Sequence, residues 1–170
     1  MRKIGLYLHF PFCEQKCRYC DFSSWAGKEK QMDTYLEALF QELESYRGES
    51  QEEEISSIFM GGGTPTLFHG ELLVKTLEKC KECFIVSEDS EISIECNPGT
   101  VDRDKLSILH EGGFNRLSLG LQAWQDHHLA FLGRIHRSKE FEDSVKWAQE
   151  VGFTNISADL IFGIPGQTEE

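Results

Sequence analysis

Short apolar strands alternate with amphipathic helices along nearly the whole chain. That alternation restricts the fold more than any other feature of the sequence. Strands joined through a helix run parallel, their crossovers are right-handed, and the helices must cover the sheet they connect. Ile4, Leu6, Leu8 and Phe10 alternate with Gly5, Tyr7 and His9 until Pro11 ends a first strand. Tyr35, Leu36, Leu39, Phe40, Leu43 and Tyr46 recur at helical steps between Asp33 and Arg47, with Asp33 the expected N-cap. The segment SSIFM reads as a second strand running into Gly61-Gly62-Gly63, and helical spacing returns over 70–84 through Leu73, Leu77, Cys80 and Phe84. Residues 91–96 alternate as a third strand, Asp102 caps a helix closed by Gly112-Gly113, and residues 116–122 form a fourth strand. After a short helical piece near 126–132, Ser138 opens a helix stopped at Gly152, and 155–162 is strand five. The acidic stretch 49–54 reads as a solvated loop.

This order predicts an α/β domain spanning 1–170 whose parallel sheet is either doubly wound or rolled, and the rolled form is preferred. At 170 residues the chain falls short of the ~250 of an eight-stranded barrel, so the expectation is a partial barrel truncated after about five strands. With 39% apolar residues, 27% charged and 4 prolines, disordered and collagen-like chains are excluded. Seventeen basic against 29 acidic side chains leave a net charge of -12, so neither nucleic acid nor an anionic membrane is an expected partner. Neither a signal peptide nor a membrane span is read, and a cytoplasmic location is expected. The 6 cysteines are then expected reduced, as metal ligands, catalytic groups or core residues.

Cys13, Cys17 and Cys20 form C-x3-C-x2-C directly after the first strand. On a helix these offsets would place three small side chains on one packed face. Pro11 just upstream and the polar Glu14, Gln15, Lys16 and Arg18 between the thiols argue instead for a metal-binding loop. Three thiolates can hold three corners of a 4Fe-4S cluster and leave one iron open. Zinc would want a fourth ligand, and the C-x2-C pair Cys80 and Cys83 lies on an apolar helix stripe, where core packing is expected. Gly61-Gly62-Gly63-Thr64-Pro65 follows the second strand, as a tight turn or as a loop whose backbone approaches a ligand closely. Glu95, Gln122 and Asp159 fall at or near the ends of later strands and Arg134 in a loop; taken singly, each could be an ordinary polar residue. In a parallel barrel, however, all strand C-termini open on one face, so these features would converge on one site.

The segments YLHFPFCEQKCRYCDF, GGGTPT, ECNP, LSLGLQ, LGRIH and DLIFGIPGQT together resemble the radical S-adenosylmethionine enzymes, in the branch of oxygen-independent coproporphyrinogen III oxidase and the HemW-type haem chaperone. The resemblance runs from Tyr7 to Thr168 and implies a six-stranded partial barrel, of which the sixth strand and a C-terminal region would lie outside this chain. It implies Cys13, Cys17 and Cys20 as 4Fe-4S ligands, with the methionine amino and carboxylate groups of S-adenosylmethionine on the open iron. Gly62, Gly63 and Thr64 would receive the methionine end and Arg134 its carboxylate. Glu95, Gln122 and Asp159 would bond other polar groups of the nucleotide, and Tyr7 and Tyr19 would flank the site or pack beside it. The implied chemistry is one-electron cleavage of a sulfonium carbon–sulfur bond to a radical that abstracts hydrogen.

Two departures separate the branch's members. The oxidase has a further cysteine two residues beyond the third, where this chain has Phe22, and it carries an extension before the first strand. Both favour the haem chaperone, with the oxidase second and a non-radical iron–sulfur or zinc module third. The resemblance brings haem or porphyrin, held largely outside this chain, a flavodoxin- or ferredoxin-type electron donor, a haem-acceptor protein and a homodimer as expected partners. None of His9, His69, His110, His127, His128 and His136 is assignable as a haem ligand.

Overall fold

The computed structural model describes residues 2–48 and 53–168. The chain begins with β1 (Arg2–Phe10), followed by the two-residue strands β2 (Phe12–Cys13) and β3 (Trp25–Ala26), which pair with each other. Then come α1 (Met32–Ser45), β4 (Glu53–Gly62), α2 (Gly70–Cys83), β5 (Val86–Cys96), α3 (Arg103–Glu111), β6 (Arg116–Gln122), α4 (Asp126–Leu132), α5 (Ser138–Val151) and β7 (Asn155–Leu160). The five long strands form one parallel sheet in the order β1-β4-β5-β6-β7. Each successive long strand is thus laid beside the last. A doubly wound sheet reverses direction at a switch point; this sheet has none, and α1, α2, α3 and α5 pack in a row against their neighbours. The architecture is the rolled, barrel-type α/β arrangement.

Alternation gives the sheet two unlike faces. Leu8, Phe10, Ile58, Met60, Ile92, Ile94, Leu117 and Leu119 are buried with Leu36, Leu39 and Leu43 of α1, Leu73, Leu77 and Cys80 of α2 and Leu106 and Leu109 of α3. The alternate positions hold Tyr7, His9, Phe59, Gly61, Glu91, Ser93, Glu95, Ser118, Gly120, Ser157 and Asp159. The interior of an eight-stranded barrel is filled by bulky branched side chains. Here the corresponding face is mostly polar or small beyond Tyr7, His9 and Phe59, which suits it to surround a ligand.

Several boundaries differ from the sequence expectation. Gln31, not Asp33, is the N-cap of α1, because a 3-10 turn at Glu29–Gln31 runs into the helix and leaves Asp33 in its first turn. There its charge still favours the positive helix end. Phe84 lies just beyond α2 in extended backbone. β5 starts at Val86, where pairing with Ile55 extends the strand through the polar Ser87, Glu88 and Asp89. Glu53 and Glu54 belong to β4 opposite Arg2 and Lys3, with Arg2 paired to Glu53, so only residues 49–52 of the acidic stretch lie outside the described residues. β7 ends at Leu160, since Ile161 N–H already bonds to the last carbonyl of β6, at Gln122. Asp102 caps α3 as expected, its Oδ1 accepting from Lys105 N at 2.7 Å.

Leu77 is fully buried, so Leu77→Ala should lower unfolding free energy by about 2–5 kcal/mol. Asp102→Ala should remove about 1 kcal/mol through the lost cap. Urea denaturation of both variants measures the difference.

Candidate functional site

The C-terminal ends of the long strands surround a cavity of about 470 Å³. Its wall includes Cys13, Cys17, Cys20, Tyr19, Gly62, Gly63, Thr64, Glu95, Gln122, Arg134 and Asp159. Of the residues that the family resemblance assigns to the site, Tyr7 alone is not in that wall. Its ring stacks on Phe59 and its hydroxyl lies 3.2 Å from His9 Nδ1.

The cysteine segment is an irregular loop with three half-buried thiols, which removes the helix-face reading. It is fastened on two sides. Lys16 Nζ donates to Phe22 O at 2.5 Å and to Ser24 Oγ at 2.9 Å, and His9 Nε2 lies 2.7 Å from Ser23 O. Because a carbonyl only accepts, His9 carries its proton on Nε2, and Nδ1 accepts from Tyr7 when neutral. On the other side, Arg18 N donates to Leu132 O at 3.0 Å and Gln15 Nε2 to Gly133 O at 2.9 Å, docking the loop on the end of α4.

The glycine loop is defined by close approach. Gly63 N donates to Phe10 O and Thr64 N to Phe12 O, each at 2.7 Å, and a Cβ on Gly63 would sit 2.5 Å from Phe12 O. Gly62 has φ 113°, a conformation that favours glycine, and any side chain there would collide with the His9 ring. Gly62 N donates to Glu95 Oε2 at 2.9 Å. Burial pushes the Glu95 carboxyl above its ordinary pKa; the Gly62 bond opposes that shift, and the nearby Asp159 charge reinforces it.

Gln122 is the only non-glycine residue with a left-handed φ, 69°, among the described residues. Such strain concentrates at ligand-binding positions. Arg134 Nη2 donates to Gly120 O at 2.8 Å, while Nη1 reaches Tyr19 Oη at 3.3 Å and Cys17 Sγ at 3.6 Å. Arg134 is therefore built into the site wall rather than left as a solvated surface charge. Its Nε is buried without a protein acceptor. Burial raises the Tyr19 phenol to about 12 despite the opposing Arg134 charge. His136, two residues on, is buried with both ring nitrogens unpartnered, and burial followed by the Arg134 charge lowers its pKa to about 4. Asp159 accepts from Ser118 Oγ at 3.2 Å. Ser118 and Asn97 also line the cavity but were not singled out from sequence. Ser118 had one usable signal, its alternation with Gly120 and Gln122 along one strand face.

The donor set fits a cluster better than a single ion. Among the described residues, no three His, Cys, Asp or Glu side chains gather closely enough to bind one metal ion. Zinc–sulfur bonds of about 2.3 Å would draw pairs of thiolates to within about 4 Å, whereas an iron–sulfur cluster binds them at separate irons. Cys80 and Cys83 are core residues, 0% and 5% exposed, and burial pushes the Cys80 thiol up to about 12. Deprotonating them to bind metal would be costly.

The chain matches the Radical SAM superfamily over residues 7–170. It is 43% identical over 163 residues to the heme chaperone HemW of Bacillus subtilis (strain 168), covering 95% of this chain and 43% of that protein. It is 38% identical over 168 residues to the heme chaperone HemW of Escherichia coli (strain K12), covering 98% of this chain and 44% of that one. Among solved structures it resembles the coproporphyrinogen III oxidase HemN of Escherichia coli, a radical SAM enzyme, with a TM-score of 0.88 and 34% identity over 98% of this chain and 39% of that chain. The methylornithine synthase PylB shares the fold at a TM-score of 0.58 and 14% identity. The chain thus spans less than half the length of the HemW proteins and of HemN. With the family match running from Tyr7 to its last residue, the chain belongs to the radical SAM superfamily.

Proposed function

We propose that residues 1–170 are the N-terminal part of a radical S-adenosylmethionine core, holding a 4Fe-4S cluster and the nucleotide, in a protein that binds and delivers haem. The observation that carries the first part is the gathering of three half-buried thiols, the glycine loop, Glu95, Gln122, Arg134 and Asp159 around one cavity. The haem-chaperone reading is supported by similarity to the HemW proteins and by Phe22 where the oxidase carries a further cysteine. Similarity to HemN favours the second reading, oxidative decarboxylation of coproporphyrinogen III. No helix among the described residues is long and apolar enough to cross a membrane. A cytoplasmic location, a flavodoxin- or ferredoxin-type donor, a haem-acceptor protein and a homodimer complete the proposal.

Cys13, Cys17 and Cys20 would supply the cluster thiolates, and Thr64 Oγ1, 3.9 Å from Cys13 Sγ, and Arg134 Nη1 stand beside two of them. Arg134 would pair with the nucleotide's carboxylate. Gly62, Gly63 and Thr64, which form part of the cavity wall, would receive its methionine end. Glu95 would accept from the ammonium, Gln122 and Asp159 would bond the ribose side, and Tyr19 would shield it, while Tyr7 packs beside the site on Phe59 and His9. When bound, the cluster and nucleotide supply reductive cleavage of a sulfonium carbon–sulfur bond. The chain's residues hold the reacting groups in place and limit water in the cavity.

Ala at Cys13, Cys17 or Cys20 should abolish or strongly reduce cluster iron, whereas Ala at Cys80 or Cys83 should cost stability and leave iron unchanged. Anaerobic iron and sulfide analysis separates these outcomes, and cluster loss confined to the Cys80 or Cys83 variants would overturn the ligand assignment.

A cation placed beside Glu95 should return its raised pKa toward the ordinary carboxylate value near 4.3. Binding of S-adenosylmethionine should therefore release protons at weakly acidic pH, with the release fading as pH rises past the ligand-free pKa. Calorimetry in buffers of different ionisation enthalpy should detect this in the wild type and not in Glu95→Gln.

The haem reading is tested on the whole protein by titrating haem anaerobically and following its transfer to an acceptor apoprotein. Stoichiometric binding and transfer, with no turnover of coproporphyrinogen III when S-adenosylmethionine and a reductant are supplied, supports it. Turnover without haem retention assigns the protein to the oxidase reading.

A further inference from the structure

The loops after β4 and β5 are tied together at two depths. Inside the cavity the tie is the bond from Gly62 N to Glu95 Oε2. Behind the cavity wall lies a second knot. Lys105, in the first turn of α3, extends its ammonium to Thr66 O and Thr100 O, each at 2.8 Å. Thr66 Oγ1 and Thr100 Oγ1 share a 2.6 Å hydrogen bond beside it. Thr66 lies in the 3-10 turn Pro65–Leu67 directly after Gly62-Gly63-Thr64, and Thr100 ends the 3-10 turn Pro98–Thr100 directly after Glu95-Cys96-Asn97.

These carbonyls depend on Lys105. Thr64 O and Pro65 O accept from Leu67 N and Phe68 N, while Thr66 O takes the ammonium instead. Asn97 O likewise accepts from Thr100 N, leaving Thr100 O to the lysine. The environment is partly shielded: Thr66 is 0% exposed, Lys105 and Thr100 are half-buried, and burial lowers the Lys105 pKa below the ordinary lysine value. Lysine is rarely buried unless paired. Here two carbonyl dipoles hold the ammonium, and removing it would cost the fully buried Thr66 its carbonyl partner and break the link from Thr66 to Thr100.

We propose that Lys105 is a positioning residue for the nucleotide site, setting the spacing between the Gly62–Thr64 loop and the Glu95–Asn97 loop from behind the cavity. The inference rests on the nucleotide-binding reading above and deepens it. The Gly62 bond occupies one carboxylate oxygen of Glu95, and the other is left to a cationic ligand group. The knot at Lys105 ties the same two loops independently of the ligand.

The test uses the reconstituted holoprotein. In Lys105→Met, hydrogen exchange at Gly62, Gly63 and Thr64 N–H, measured without nucleotide, should speed up about tenfold, and S-adenosylmethionine affinity should fall about tenfold, the equivalent of one lost bond of about 1.4 kcal/mol. Cluster iron and absorbance should stay at wild-type levels. Leu77→Ala, destabilised elsewhere in the core, should keep wild-type affinity, so a general loss of stability is distinguished from loop positioning. Thr66→Val, which removes only the hydroxyl bridge to Thr100, should shift exchange and affinity the same way by a smaller factor, and serves if Lys105→Met does not fold. Unchanged exchange at the glycine loop in Lys105→Met, or an equal affinity loss in Leu77→Ala, overturns the proposal. Wild-type protein that fails to bind S-adenosylmethionine would overturn the nucleotide-binding reading, while the exchange measurement would still decide whether Lys105 holds the loops.

Discussion

The site depends on how closely three backbones meet at Gly62 and Gly63. The end of β1 and the start of β2 accept bonds from the glycine loop through Phe10 O and Phe12 O, the His9 ring fills the space a side chain at Gly62 would need, and the Glu95 side chain from β5 takes the Gly62 amide. No residue with a Cβ fits at either glycine without displacing backbone or the His9 ring. Because His9 also reaches Ser23 O in the cysteine loop, the same meeting point links the thiols to the sheet. Disturbing it would move the thiol loop, the glycine loop and Glu95 together.

The two faces of the sheet make that meeting point usable. Leucine, isoleucine and phenylalanine on one face seal against the helices and provide the burial that offsets chain entropy. The other face holds mainly serine, glycine, glutamate and aspartate, with Tyr7, His9 and Phe59 its large side chains on β1 and β4. Parallel strands laid down in sequence then bring every C-terminal end to one rim. Binding groups gather there without any two needing to be close in sequence.

Charge is arranged against the chain's overall balance. A net charge of -12 makes an anion at the surface unwelcome, yet Arg134 stands in the cavity wall and Lys105 behind it. Glu95 and Asp159 face the same space, and the proton affinity of Glu95 is raised by burial and by Asp159. A zwitterionic ligand, with an anionic group toward Arg134 and a cationic one toward Glu95, would complement both ends. The half-buried ammonium of Lys105 is matched to carbonyl dipoles instead of to a carboxylate, so it holds loops together without adding an ion pair to the cavity.

Element type and order were legible in the sequence because they rest on local rules: period two or 3.6, glycine and proline breaks, and caps such as Asp102. Convergence of the cysteine loop, the glycine loop, Glu95, Gln122 and Asp159 on one cavity followed from parallel topology alone. The positions missed depend on partners remote in sequence. Asp33 lost the cap because a preceding turn joined the helix, β5 lengthened because Val86 found Ile55, and Tyr7 lies outside the cavity wall because Phe59 and His9 hold its ring. The left-handed Gln122, the built-in Arg134, the raised pKa of Glu95 and the knot at Lys105 likewise arise only when distant segments meet. The sequence by itself determined which elements form and which residues could do chemistry, since periodicity and side-chain type are local properties. The tertiary structure alone decided which of those residues share a wall, how they are protonated and what holds them, since burial, electrostatics and hydrogen-bond pairing are properties of neighbours in space.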